Sequence, residues 1–551
     1  TTPNNLNFTI NDGNRAGNNL FHSFREFSIP TGGEAFFNNA PEIQNIFSRV
    51  TGGTISNIDG LIRANGNANL FLLNPSGIIF GPNARLNIGG SFLATTANSF
   101  KFADGVEFSA TNPQATPLLT VNVPIGLQIG TNPGSIINRS LATDSNNQLV
   151  GLQVQPGKSL ALLGGDVTQE GARINAPSGR IELAGLASAG TVGLTVNGNI
   201  LSLSFPSEGT RANVTLTDDA RVNVRSVGGG DIVVNANNFT ATNGGRLVAG
   251  TEGAGNGGYI IVNANTFSIS GVGILSQTGS GLYNIVLPDA SGNAGNIFVN
   301  TRSFSASSGA AVRATTFGAG DAGDVTIVST DLVELTESDI ATIADESSGG
   351  DAGDISITTG TYLASGKQGY LWSGTFNGGR NGGNITLTAD SVTLLNRSTI
   401  DASNLGGSGN AGNVEINAKN NVNFSGDSYI STASITQGNA GNVMLQAGGA
   451  VALVNSDIDS SAFLGTAGRG GDISIRAGSL SMTDSAKLGA FSSGQSQVAG
   501  NITVQTSDFV ALDNDSRISA FASGTGAGGN ILIETGRLRV LNGSWIFAPV
   551  S

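Results

Sequence analysis

The sequence predicts an all-β fold, a right-handed parallel β-helix with an N-terminal cap. Three observations lead there: a glycine-led triplet recurring about every 29 residues, apolar positions locked to its phase, and an unusual composition. Of 551 residues, 81 are glycine and only 12% are charged, about half of the usual ~25%. The hydrophobic share is nevertheless 39%, too high for an ordinary disordered chain. A surface of Ser, Thr, Asn and Gly over an aliphatic interior satisfies both figures. A chain this long usually divides into compact domains, but a solenoid escapes that limit because each repeat buries its apolar face against its neighbours.

The triplet is Gly-(Asn/Asp)-(Ile/Val). It begins at Gly230, Gly295, Gly323, Gly353, Gly383, Gly412, Gly441, Gly471, Gly500 and Gly529, with a Gly-Tyr-Ile variant at Gly258. Successive spacings are 28, 37, 28, 30, 30, 29, 29, 30, 29 and 29 residues, and the 37 is read as an insertion around Gly281–Ala290. Positions +2 and +4 from the glycine are apolar, as in Ile385 and Leu387. A second apolar site follows at +9 or +10 (Leu332, Tyr362, Val392, Val422, Phe509) and a third at +17 or +18 (Leu275, Ile340, Tyr370, Ile400, Ile430). Around each site apolar and polar residues alternate, the period of a strand with one buried face. Each repeat therefore reads as three short strands and a loop, with each strand pairing in parallel one coil on. Ile385, Val414 and Val443 would then form one interior column, with Thr399 facing outward beside Ile400. The triplet glycine suits a positive φ or a close backbone approach, and the Asn or Asp after it suits a stacked ladder. Helical repeats of similar length need amphipathic segments of helix formers, and none occurs.

Residues 1–229 lack this beat and form a first domain, with residues 230–551 the repeat domain. The first is richer in aromatics (Phe21, Phe24, Phe27, Phe36, Phe37, Phe47) and in proline turns. A solenoid end exposes apolar side chains and unpaired strands, so a cap is expected here.

Four blocks in this domain carry a resemblance: Asn19-Leu-Phe-His-Ser-Phe-Arg-Glu-Phe27, Gly32-Gly-Glu-Ala-Phe-Phe-Asn-Asn39, Ile46-Phe-Ser-Arg-Val-Thr-Gly-Gly53 and Asn69-Leu-Phe-Leu-Leu-Asn-Pro-Ser-Gly-Ile-Ile-Phe-Gly-Pro82. Together they resemble the filamentous-haemagglutinin N-terminal domain, the secretion domain of two-partner secretion exoproteins, in the style of cyanobacterial surface proteins. The hallmark of that family is Asn-Pro-Asn-Gly-Ile. Here it reads Asn74-Pro75-Ser76-Gly77-Ile78, with Ser in the third place, and no copy of the family's second motif, Asn-Pro-Asn-Leu, is found. The resemblance implies a secreted protein of the extracellular space or outer cell surface, exported after signal-peptide removal by an outer-membrane transporter. The implied secretion motif is Asn74, Pro75, Ser76, Gly77 and Ile78. No signal peptide is visible, and Thr1 is read as a mature N-terminus left by cleavage.

Composition narrows the other functions. A net charge of −13 argues against a general grip on nucleic acid or anionic lipid, and no apolar run is long enough to span a membrane. Cysteine is absent, which removes disulfides and thiolate metal sites. Catalytic candidates are sparse. Asp513, Asp515 and Arg517 share a coil, Asp218 and Asp219 adjoin, and His22 is the only histidine. All are read as surface or cap residues, with no catalytic residue, metal or cofactor expected. The runs Gly320–Asp324 and Gly350–Asp354 read as loop turns rather than calcium sites, because calcium-binding repeats recur every nine residues. The expected function is an adhesin or haemagglutinin-like exoprotein, its partners the transporter and a surface glycan or receptor. A filament of end-to-end stacked solenoids and a carbohydrate-active enzyme are the alternatives.

Overall fold

A computed structural model describes residues 6–114, 119–206, 209–345, 349–367, 369–376, 380–435, 437–463, 468–493, 498–523 and 526–548. Thr1 lies outside them. The fold is a parallel β-solenoid, and its contacts divide it into two units. The first comprises Thr1–Ala249, Gly258–Ser268 and Val272–Gly281, the second Gly250–Gly257, Ile269–Gly271 and Leu282–Ser551.

In the first unit Leu20, Ile46, Leu70, Phe92, Leu160, Ile181 and Ile232 pair coil after coil in parallel register and form one interior column. The strand Asn14–Ala16 pairs antiparallel with Asn19–Phe24 at the start of the stack. The beat is lost because long insertions leave the solenoid. Ser99–Phe102, Glu107–Ser109, Pro124–Ile129, Gly190–Asn197 and Ile200–Ser204 form a separate antiparallel sheet. This sheet covers the outer face of the column. Phe21, Phe47 and Phe71 stack outward at centroid spacings of 5.1 and 4.7 Å, and Phe100 and Phe108 meet them edge-on. Strands buried on both faces need no alternation, which is why Asn69–Leu73 is an unbroken apolar run after its first residue.

In the second unit the 29-residue repeat is realised directly. Val325, Ile355, Ile385, Val414, Val443, Ile473 and Ile502 form one buried column. Ile340, Leu371, Ile400, Ile430, Ile458, Leu488 and Ile518 form another. From Val414–Ala418 onward each coil has three short strands, but in Ile297–Ser307, Val325–Thr336, Ile355–Ser365 and Ile385–Leu395 the first two are continuous. Later coils break there at turn-forming residues, Lys419-Asn420-Asn421 and Gly448-Gly449.

Several interior assignments shift by one residue. Val333, Leu371 and Val510 occupy the core columns in place of Leu332, Tyr370 and Phe509, each beside an apolar neighbour that only burial distinguishes. A one-residue change in the linker turns the neighbouring side chain inward instead. The insertion is also earlier than expected. Gly271–Ser280 is the extra loop, Leu275 on it is 87% exposed, and Leu282 of strand Gly281–Val286 is the buried third-strand residue. Thr399 does lie on the outer face, yet Tyr370 and Tyr429 flank it in register and leave it buried.

The triplet glycines settle the choice offered by the sequence. None adopts positive φ; a methyl on Gly412, Gly441, Gly500 or Gly529 would collide with the carbonyl oxygen of the equivalent glycine one coil earlier. The residue after each glycine forms the expected ladder. From Asn296 through Asp324, Asp354, Asn384, Asn413, Asn442, Asp472 and Asn501 to Asn530, each side-chain oxygen accepts from the backbone N–H of the next at 2.7–3.0 Å. A second ladder three residues earlier, from Asn256 to Arg469, was not anticipated.

A carboxylate placed in the interior lacks a partner and costs several kcal/mol. Ile400→Asp should therefore destabilise its coils by about 3–5 kcal/mol, and the exposed Thr388→Asp by less than about 0.5 kcal/mol. Hydrogen exchange of the amides around each site measures both, and equal loss of protection would contradict the register.

Candidate secretion-motif site

Asn74-Pro75-Ser76-Gly77 is the tight turn joining strand Asn69–Leu73 to strand Ile78–Phe80. Asn74 is fully buried and organises that turn. Its Oδ1 accepts from the Ser76 N–H at 3.0 Å, an Asx-turn. Its Nδ2 donates to the Thr54 carbonyl and the Ser56 hydroxyl, both at 2.9 Å, which ties the turn to the preceding coil. The Gly77 N–H closes the turn onto the Asn74 carbonyl at 3.1 Å. Gly77 has φ +124°, a region that side chains resist, and a Cβ there would also lie 3.2 Å from the Ser135 carbonyl. Ile78 is buried, while Pro75 and Ser76 are half-exposed. The five residues thus act as one device. Two present a surface and three hold them there.

A second Asn-Pro turn stacks directly on the first. Ile136 pairs in register with Ile78, so Asn132-Pro133-Gly134-Ser135 overlies Asn74-Pro75-Ser76-Gly77. The Gly134 N–H donates to the Pro75 carbonyl at 3.0 Å, and the Ile78 N–H to the Ser135 carbonyl at 3.1 Å. Asn132 and Ser135 are exposed. The sequence signal was the repeated Asn-Pro pair, which 56 intervening residues concealed. Nearby, Asn19, Asn45 and Asn69 form a buried side-chain ladder with steps of 2.9 and 3.0 Å, and Asn19 also donates to the Thr120 and Asn122 carbonyls. Two of the resemblance blocks begin on these asparagines.

The other candidates have structural duties. His22 points into the first coils between Phe24 and Phe37, with centroids 5.9 and 5.5 Å away, and its Nε2 has no partner among the described residues. Burial lowers its pKa from 6.5 to about 4. Asp218 and Asp219 occupy positive-φ turn positions, and Asp219 accepts from Ser276 and the Leu275 N–H, anchoring the loop at Gly271–Ser280. Asp513 and Asp515 flank a turn at Asn514 just before the strand that carries Arg517, and Asp513 accepts from the Asn542 side-chain amide at 2.6 Å. Asp321, Asp324, Asp351 and Asp354 belong to the two ladders. Among the described residues no group of three or more His, Asp or Glu is placed to hold a metal, and no helix is long and apolar enough to cross a membrane.

Removing the Asn74 amide strands two acceptors and opens the turn, so Asn74→Ala should cost about 2–3 kcal/mol in the stability of the first unit, read by denaturant unfolding. The buried His22 also predicts a pH dependence. The fold holds the neutral imidazole, so this contribution is complete above pH 6.5 and is lost as pH falls toward 4. Each tenfold loss of proton affinity is worth about 1.4 kcal/mol, so the contribution amounts to roughly 3 kcal/mol. Unfolding across pH 4–7.5 should show that slope in the native chain and lose it in His22→Phe.

Residues 1–234 match the TPS secretion domain family. No curated protein matches the chain. Among solved structures it is similar to the HMW1 secretion domain from Haemophilus influenzae, at 16% identity over 87% of this chain and 95% of that one, with a TM-score of 0.30.

Proposed function

We propose, since residues 1–234 match the TPS secretion domain family, that the chain is a two-partner secretion exoprotein with a TPS transporter as partner and serves as an adhesin at the outer cell surface. The transporter reads the stacked Asn-Pro turns, through Pro75 and Ser76 above the buried Asn74 and through Asn132 and Ser135 beside them. The observation that carries this reading is the turn geometry. A motif whose most constrained residues are buried works by fixing the backbone, and the half-exposed residues it positions sit together on one corner of successive coils. The repeats serve as a presenting scaffold, and their role is adhesive rather than catalytic. Support for this comes from the acidic candidates, which are engaged in turns and ladders. Coils that contact only their neighbours also suit a chain that folds progressively as it emerges.

Co-expression with the cognate transporter tests the export reading. The Asn74→Ala/Gly77→Ala double variant should disappear from culture supernatant and cell surface. Excising residues 353–528, six whole repeats that bring Gly529 in phase after Ala352, should leave a shorter exported chain. Undiminished export of the double variant would reduce the motif to a structural turn. Loss of export in the excision alone would place the signal in the repeats.

A further inference from the structure

The outer face of the third strand in the second unit bears a groove of about 470 Å³, running over the coils from Asp457 to Phe547. We propose that this groove binds an oligosaccharide of neutral pyranose units laid across successive coils. The proposal rests on the second unit alone and is independent of how the chain is exported.

One wall of the groove is polar. Asp457, Lys487, Arg517 and Trp545 stack in register, with the Lys487 ammonium 3.0 Å from the Asp457 carboxylate and the Arg517 guanidinium 5.6 Å from the Trp545 ring centroid. The other wall is apolar. Phe463, Phe491, Phe521 and Phe547 form a continuous strip with centroid spacings of 5.8, 5.5 and 6.3 Å, the first three half-buried and the last exposed. Between the walls, Asp459, Gly489 and Ser519 form the floor, and Phe547, in register with Ser519, closes that column at the last coil while its ring leans onto Phe521. The sequence alone had linked Arg517 to Asp513 and Asp515; stacking sets it instead between Lys487 and Trp545, in the column that begins at Asp457.

Gly489 distinguishes this groove from an ordinary patch of surface. Its φ is not positive, so its backbone tolerates any residue, and a Cβ there would meet only the Asp459 Oδ1, at 3.3 Å. What the glycine supplies is space above a carboxylate. Asp459 accepts from the Ser461 hydroxyl, burial raises its pKa to about 6, and its second oxygen has no donor among the described residues. It therefore offers an acceptor to a ligand at neutral pH.

These features select a chemistry. A pyranose carries apolar C–H faces and a rim of hydroxyls that both donate and accept. It matches a site with an aromatic strip on one side and carboxylate, ammonium and guanidinium groups on the other. Two acids and two bases balance, so the groove favours no net ligand charge. Strands Asp457–Asp459, Lys487–Gly489 and Arg517–Ser519 are paired on both sides, so along most of the groove an extended peptide finds no edge to join; among the described residues the open edge is at Trp545–Phe547.

The test uses the purified full chain in native gels cast with soluble neutral polysaccharides (a β-glucan, a galactomannan and a xylan) or with polygalacturonate. At least one neutral polymer should retard it. Gly489→Gln, which fills the floor, and Trp545→Ala should each weaken that retardation about tenfold or more. Thr503→Gln, on the outer face of another sheet, should leave it unchanged, with circular dichroism confirming that all variants keep the native fold. No retardation by any neutral polymer, retardation by polygalacturonate alone, or retardation indifferent to both groove substitutions would overturn the proposal. Binding is read on purified protein, so its failure and a failure of export are distinct results.

Discussion

Each coil lies about one interstrand distance, ~4.8 Å, from the next, with equivalent residues in register. That single constraint decides what each position tolerates, because every side chain has its own counterpart above and below it. Aliphatic columns such as Ile385–Val414–Val443 satisfy it by packing like on like. At the triplet glycines the carbonyl of one coil approaches the α-carbon of the next so closely that no side chain fits. These glycines answer a demand of space rather than of backbone angle. Polar columns satisfy the same constraint by alternating acceptor and donor, which lets Asp321 stack with Asp351 through the N–H between them.

The repeat domain was legible because that constraint writes itself into the sequence at a fixed interval. Ile340, Ile400 and Ile430 fell where the period placed them. The failures are local: where two apolar residues adjoin, as in Leu332-Val333 or Phe509-Val510, periodicity cannot choose between them and the length of the preceding bend does. Leu275 misled for another reason. A loop held by Asp219, more than fifty residues away, displaced the strand that its spacing implied.

The first unit was legible through short blocks rather than through a beat. Asn74 and Gly77 stood out as turn formers, but nothing local indicated that Asn74 is sealed from solvent by Thr54 and Ser56. The antiparallel sheet over Phe21, Phe47 and Phe71 was invisible for the same reason. Phe100 and Leu127 meet those rings only after the chain has turned several times, so their pairing has no short-range signature. The groove beside Asp459 likewise depends on residues about thirty positions apart, of which only Arg517 drew notice within its own repeat.

The two asparagine and aspartate ladders have a direction. In every rung a side-chain oxygen of the earlier coil accepts from the backbone N–H of the later one. A chain that appears N-terminus first thus always has the receiving group in place before the giving group arrives. Each finished coil presents a row of waiting acceptors that fixes where the next one starts, and a slip of one residue leaves that row unfilled. Order of synthesis and order of bonding coincide, so the ladder acts as a pawl: it rewards the next coil in the correct frame and offers nothing to a coil laid down in any other.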